Sequence, residues 1–191
     1  MIKNYMRYLL ISFVILISCQ QSEVIEKIIF DYNQLSKIVI SAKNKEINNI
    51  YEPKFNDIYI DHSLKISPLN RLNLFFNNNF SIIGSENKIV INILDASIKK
   101  SEIENTNTKK YKEKNIFFYE INFIADYILY DDNNLVLAKV KVESFRSTTS
   151  GKFISLIQSE AIIDRLILDC LIDFSNKSQE LINKHMFNYV L

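Results

Sequence analysis

Positions 116–130 constrain the fold more than any other stretch of the chain. Phe117, Tyr119, Ile121, Phe123, Ala125, Tyr127 and Leu129 recur at every second position, while Glu120, Asn122 and Asp126 interrupt the other set. Side chains of a strand alternate between faces, so this is a long strand with one wholly apolar face that has to be covered. Asp131-Asp132-Asn133-Asn134 is a turn by composition. Positions 135–147 then return with Val136, Ala138, Val140 and Val142 inward and Lys139, Lys141 and Glu143 outward. The pair reads as an antiparallel meander with one buried face.

Two amphipathic helices are available to cover that face. Ser67-Pro68 is a helix start, with Ser as N-cap and Pro at the first helical position, where no donor is lost. Leu69, Leu72, Phe75, Phe76 and Phe80 then share one side of a wheel and Asn70, Asn73 and Asn77 the other, with Gly84 as the stop. Ser155-Leu156-Ile157-Gln158 has the capping-box form, and with no later Gly or Pro a helix can run from about Leu156 to near the C-terminus. Its apolar face is Leu156, Ile163, Ile167, Cys170, Leu171, Phe174, Leu181 and Ile182.

Positions 37–42 alternate as a strand, with Ile38, Ile40 and Ala42 on one face, and pairing resumes around Ile47 and Ile50. Positions 88–99 are apolar on both faces, which suits a central strand or one bulged near Asp95. Residues 100–115 read as a long hairpin loop. The expected fold class is therefore α+β, a two-layer sandwich of about four mostly antiparallel strands with two helices on one face, in the order β-α-β-β-β-α.

Composition excludes more than it suggests. The formal net charge is +1, which gives no electrostatic case for nucleic acid. Two glycines and two prolines in 191 residues leave no Gly-rich phosphate loop and few tight turns. Two cysteines make no disulfide framework, and Cys170, inside an amphipathic pattern, reads as a small buried hydrophobe.

Lys3 and Arg7 precede the apolar run of positions 8–15, which ends in Leu16-Ile17-Ser18-Cys19. A basic region, a short apolar run and a small residue are the layout of a secretory signal. A membrane-spanning helix needs about 20 apolar residues, so an uncleaved anchor fits poorly. Leu16-Ile17-Ser18-Cys19 resembles a bacterial lipobox. That resemblance implies cleavage before Cys19, a diacylglyceryl thioether on its thiol and N-acylation. Gln20, where an aspartate would imply inner-membrane retention, points to the outer membrane, with the inner as the alternative. The expected division is a signal peptide over 1–18, a lipidated N-terminus and tether over 19–34, and one periplasmic α+β domain over 35–191. A signal anchor or a plain secretory signal are the competing readings.

The body carries a second resemblance. Ile60-Asp61-His62, Ser67-Pro68, Gly84, Ile93-Leu94-Asp95-Ala96-Ser97 and Arg146-Ser147-Thr148 look like an uncharacterised family of Gram-negative lipoproteins. The order of elements also resembles the lipopolysaccharide-assembly lipoprotein and auxiliary lipoproteins of ABC-type lipid transport. These resemblances imply a fold and an address, and they carry no catalytic residue across.

Candidate chemistry does not assemble. His62 beside Asp61 lacks a Ser or Cys nucleophile in a recognisable motif. His185 has no second ligand at metal spacing. Asp131 and Asp132 lack the alternating spacing and glycine of a calcium loop. No catalytic residue, cofactor or metal is expected. The function that follows is a non-catalytic, membrane-anchored lipoprotein binding a protein or lipid partner of the envelope. A periplasmic enzyme with a scattered site is the alternative.

Two further expectations concern side-chain clusters. Arg146 continues the inward parity of Val140 and Val142, and Glu160 and Asp164 interrupt the last helix one turn apart near its start. They predict a latch of Arg146 on Glu160 and Asp164, holding helix to sheet. Ile162 and Leu166, also one turn apart, are placed on the polar side of the same helix, where with Leu74 of the first helix they would form a partner-binding patch. The competing reading is that the pair is incidental or tucked under the preceding loop.

Overall fold

The computed structural model describes residues 28–106 and 113–191. The signal segment, Cys19 and most of the expected tether lie outside the described residues. Along the chain, β1 (Ile38–Ile40) and β2 (Asn44–Asn49) precede α1 (Pro68–Asn79), β3 (Phe80–Ile82), β4 (Lys88–Asp95) and β5 (Ile98–Glu104). The long hairpin β6 (Asn115–Tyr130) and β7 (Val136–Ser150) leads into α2 (Leu156–His185).

β6 organises the sheet, as its alternation requires. On one edge it pairs antiparallel with β7, Phe117 opposite Ser150 and Ala125 opposite Val142. On its other edge it pairs first with β5 and then with β4, Ile98 opposite Ile121 and Ile89 opposite Leu129. β4 and β5 are thus two segments of one interrupted track, with the register shift between Ile93 and Asp95. A bulge near Asp95 explains how a strand can be apolar on both faces. β2 lies outside β4 and runs parallel to it, Ile47 opposite Ile91. This five-stranded sheet has four strand positions, because β4 and β5 share a track, and is mostly antiparallel with both helices on one face. β1, expected within it, instead pairs parallel with β3 in a separate two-stranded sheet. The α+β class and its two-layer form follow.

Every second residue of β6 from Tyr119 to Leu129 is fully buried. Phe76 of α1 meets the Tyr127 ring edge-on at 5.9 Å, and Phe174 of α2 meets Phe123 at 6.0 Å. Phe75 and Phe76 both pack against Phe174, so the helices share one aromatic core over the strand. Aromatic pairs in this geometry add about 0.5–1.5 kcal/mol each beyond area burial.

The local signals act as the sequence requires, with two corrections. Ser67 accepts from Asn70 N at 3.2 Å, and Ser155 and Gln158 complete a reciprocal capping box at 3.2 and 2.9 Å. Gly84, however, does not stop α1. The helix ends at Asn79, and Phe80 starts β3, stacked on Tyr127 at 5.7 Å. Lys45 of β2 does the capping, donating to the carbonyls of Phe76 at 3.0 Å and Phe80 at 2.6 Å. A lysine there neutralises orphan carbonyls and the negative helix end together. Gly84 instead lies against the β1–β2 break, where a Cβ would stand 3.0 Å from Ala42 N. The second correction is at residues 100–115, where the loop is shorter than expected. β5 pairs through Glu104, with Lys100 Nζ 3.8 Å from the centre of the Phe117 ring.

Candidate functional site

The residues that assemble a site lie where the loop after β2 meets the β4–β5 break. Tyr51 N donates to Ile93 O at 2.9 Å, and Ile60 N to Ile98 O at 3.0 Å, which straps the loop across the bulge. Asp61, 2 % exposed, anchors the strap. Its Oδ2 accepts from the Tyr51 hydroxyl at 2.5 Å and its Oδ1 from Ile98 N at 3.1 Å. Burial, and then the Asp61 carboxylate, push the Tyr51 phenol far above its ordinary pKa, so it is held as a donor. Asp95 accepts from Ser97 N at 2.9 Å, a turn that carries the chain across the break.

Between strap and bulge lies a cavity of about 310 Å³, with Tyr51, Glu52, Lys54, Tyr59, Asp95 and Ser97 among its walls. Tyr59 is flanked by two cations, with Lys54 Nζ 5.0 Å and Lys99 Nζ 5.7 Å from its ring centre. Ser97 Oγ is buried with no hydrogen-bond partner among the described residues. Both signs of charge line the cavity, and the two oxygens of Asp61 are each engaged in bonds that hold the strap. The lining offers donors and acceptors of the size of a small polar group. Its carboxylates are Glu52 and Asp95, the latter accepting from Ser97 N, while Asp61 anchors the strap beside it.

The predicted site residues fall elsewhere and regroup. Arg146 does face α2, as its parity predicts, but its carboxylate is Asp173, bound bidentately at 2.5 and 3.0 Å. Asp164 pairs instead with Arg71 of α1 at 3.0 Å, and Glu160 is exposed. The latch of Arg146 on Glu160 and Asp164 is therefore corrected to two pairs. Arg146–Asp173 joins sheet to helix, and Arg71–Asp164 joins helix to helix. The reason is register. Arg146 lies opposite Ile121, beyond the middle of β7, and meets α2 more than two turns past Asp164. Arg71, 8 % exposed, also lays its guanidinium 3.2 Å from the centre of the Phe30 ring.

The expected docking patch does not form. Leu166 is 5 % exposed and belongs to the core, Ile162 is half-buried, and Leu74 alone of the three is exposed. Leu156, expected on the apolar face, is 76 % exposed. His62 is exposed, its ring 5.5 Å from that of Phe55, and His185 is exposed in the last turn of α2. Asp131 Oδ1 accepts from Asn133 N and Leu135 N, the bonds of a hairpin turn. Among the described residues no group of three or more His, Cys, Asp or Glu side chains could hold a metal ion. No described helix is long and apolar enough to cross a membrane.

Arg71, Tyr51 and Asp173 were missed in the sequence. Arg71 carried a signal, since it falls between Pro68, Leu72 and Phe75 on the apolar stripe of α1. Tyr51 carried none, because its partner Asp61 is reached only through the folded loop.

The fold is that of a two-layer α+β protein with a strapped cavity at a sheet break. No protein-family model matches the chain, and no curated protein matches it. Among solved structures it is similar to a minor lipoprotein from Acinetobacter baumannii, at 9 % identity over 76 % of this chain and 96 % of that one, with a TM-score of 0.43. It is also similar to rare lipoprotein B from Shewanella oneidensis, at 16 % identity over 75 % of this chain and all of that one, with a TM-score of 0.35. Both TM-scores lie below 0.5, a likeness too slight to define a shared fold or role.

Proposed function

We propose that the chain is a lipid-anchored envelope protein that binds a protein or lipid partner and does not turn over a substrate. The observation that carries this reading is Leu16-Ile17-Ser18-Cys19 at the end of a short apolar run, a motif that specifies a chemical modification. A thioether diacylglyceryl group and an N-acyl chain together give stable anchoring, since each buried methylene contributes about 0.8 kcal/mol. Residues 20–28 then act as a tether, and the domain, which begins earlier than the expected residue 35 because Phe30 and Tyr32 already pack on its core, stands in the periplasm. Gln20, where an aspartate would favour inner-membrane retention, supports the outer membrane as the anchor's place.

Metabolic labelling with an alkyne palmitate analogue tests the anchor. The parent protein takes up label and co-fractionates with outer membrane, and Cys19→Ser abolishes both. A Cys19→Ser protein that still takes up label and matures normally overturns the reading. Crosslinking in intact membranes followed by purification of the labelled protein then reports whether one stoichiometric envelope component accompanies it.

A further inference from the structure

The N-terminal end of α2 is the least explained surface of the molecule. Phe153, Leu156 and Ile157 are 87 %, 76 % and 64 % exposed within five consecutive positions. β7 ends at Ser150, and the first buried residue of α2 is Ile163, so about two turns of helix overhang the core. This turn is held firmly. Glu113 accepts from Lys152 N at 2.7 Å and Phe153 N at 3.3 Å, and the capping box fixes Ser155 against Gln158. Single exposed apolar residues are ordinary, but three within one hydrogen-bonded turn form an apolar edge.

The start of the described chain lies within reach of this edge. Phe30 lies on the Arg71 guanidinium and Arg71 binds Asp164, so the N-terminal segment leaves the domain beside the first half of α2. Asp164 is seven residues from Ile157, roughly 10 Å along the axis and on the same side of the helix. Ile29, at that exit, is 79 % exposed. Residues 20–28 can span roughly 30 Å when extended, so an anchor on Cys19 reaches the level of the apolar turn with chain to spare.

We infer that the turn carrying Phe153, Leu156 and Ile157 seats in the interface of the lipid bilayer that holds Cys19, orienting the domain on its membrane. The inference rests on the lipid anchor proposed above. An aromatic and two aliphatic side chains on a rigid turn suit the boundary between headgroups and acyl chains. With the anchor supplying attachment, this contact has only to set the tilt.

The chain contains no tryptophan, so one substitution gives an unambiguous reporter. Full-length lipidated Phe153→Trp is reconstituted in protein-free vesicles of phosphatidylethanolamine and phosphatidylglycerol, beside Phe145→Trp as control. Phe145 is 54 % exposed on the sheet face turned away from the helices. The expected result is a blue-shifted emission, quenched by bromine-labelled lipid, in Phe153→Trp and not in Phe145→Trp. Unshifted, unquenched emission in both, with the diacylglyceryl mass present on Cys19, overturns the inference and leaves the anchor standing. Shielding that appears only in native membranes and not in protein-free vesicles means that a protein covers the turn, and also overturns it. If Cys19 carries no lipid, the anchor reading fails, and the same variants added to preformed vesicles decide the turn by the presence or absence of quenching. Unchanged thermal melts of both variants in detergent confirm that the reporters leave the fold intact.

Discussion

The Tyr51 hydroxyl donates to Asp61 Oδ2 at 2.5 Å, ten positions along the chain, and ties the two ends of the strap to each other over the sheet break. Asp61 reaches the backbone of Ile98 with its other oxygen, so loop and β5 share a carboxylate. Tyr51→Phe leaves that carboxylate buried with one partner fewer. We expect a loss of about 1–3 kcal/mol in urea unfolding, the usual consequence of stranding a buried acceptor. Asp61→Ala, which removes both bonds, costs more. A Tyr51→Phe protein with the parent's midpoint would show that the bond contributes nothing.

The two arginine pairs are distinguishable by double-mutant cycles. Arg71 is buried and its partner Asp164 is about a third exposed, so the cost of breaking the pair is discounted for solvent. Asp164→Ala should lose about 1–3 kcal/mol on that discounted scale. Arg146→Ala should lose less, because its pair with Asp173 stands at the surface. Coupling energy is expected within Arg71–Asp164 and within Arg146–Asp173, and none between Arg146 and Asp164. Measurable coupling of Arg146 to Asp164 or Glu160 would restore the single latch read from the sequence.

These pairs show where sequence reasoning reaches and where it stops. The inward parity of Tyr119 through Leu129, the cap at Ser67, the capping box at Ser155 and the bulge near Asp95 are local patterns, and each stands in the fold as read. Arg146 was correctly aimed at α2. Its partner was not legible, because parity fixes a face and says nothing of the register between helix and sheet. The cavity was illegible for a similar reason. Tyr51, Asp61 and Ser97 are brought together by the parallel pairing of β2 with β4 and by the strap, both long-range. Gly84 was misread because a helix stop was sought in the local sequence, whereas Lys45 supplies it from another strand.

Cys170 offers a test by pH. It is fully buried, donates to Ser144 Oγ at 3.5 Å, and burial pushes its thiol up to about 11. The folded state therefore keeps the proton that the unfolded chain releases near its ordinary value. The stabilisation is complete below about pH 8.5 and is lost as pH rises toward about 11, up to about 2–3 kcal/mol in all. Tyr51 and Tyr127, whose phenols are also raised chiefly by burial, steepen the fall above pH 10. Cys170→Ala should flatten the dependence between pH 8.5 and 10 while leaving the later fall. Equal slopes for parent and variant would mean that the thiol titrates normally. The thiol should also stay unreactive to an aromatic disulfide reagent at pH 8 until the protein unfolds.

Leu166 carries the final prediction. It lies three residues after Ile163 and four before Cys170, the spacing that puts all three on one face of a helix. The structure buries it at 5 % exposure in the same core as Phe174 and Phe123. Ile162 precedes that face by one position and is half-buried. Leu166→Ala should therefore lose about 2–5 kcal/mol, the range for truncating a core leucine. Ile162→Ala should lose distinctly less, and Leu74→Asp, at an exposed position of α1, should be close to neutral. An aspartate at position 166 would unfold the protein and could not report on docking. Chemical denaturation of the three single variants decides the matter. If Leu166→Ala proves as mild as Leu74→Asp, the helix is rotated from the orientation described and Leu166 returns to the surface.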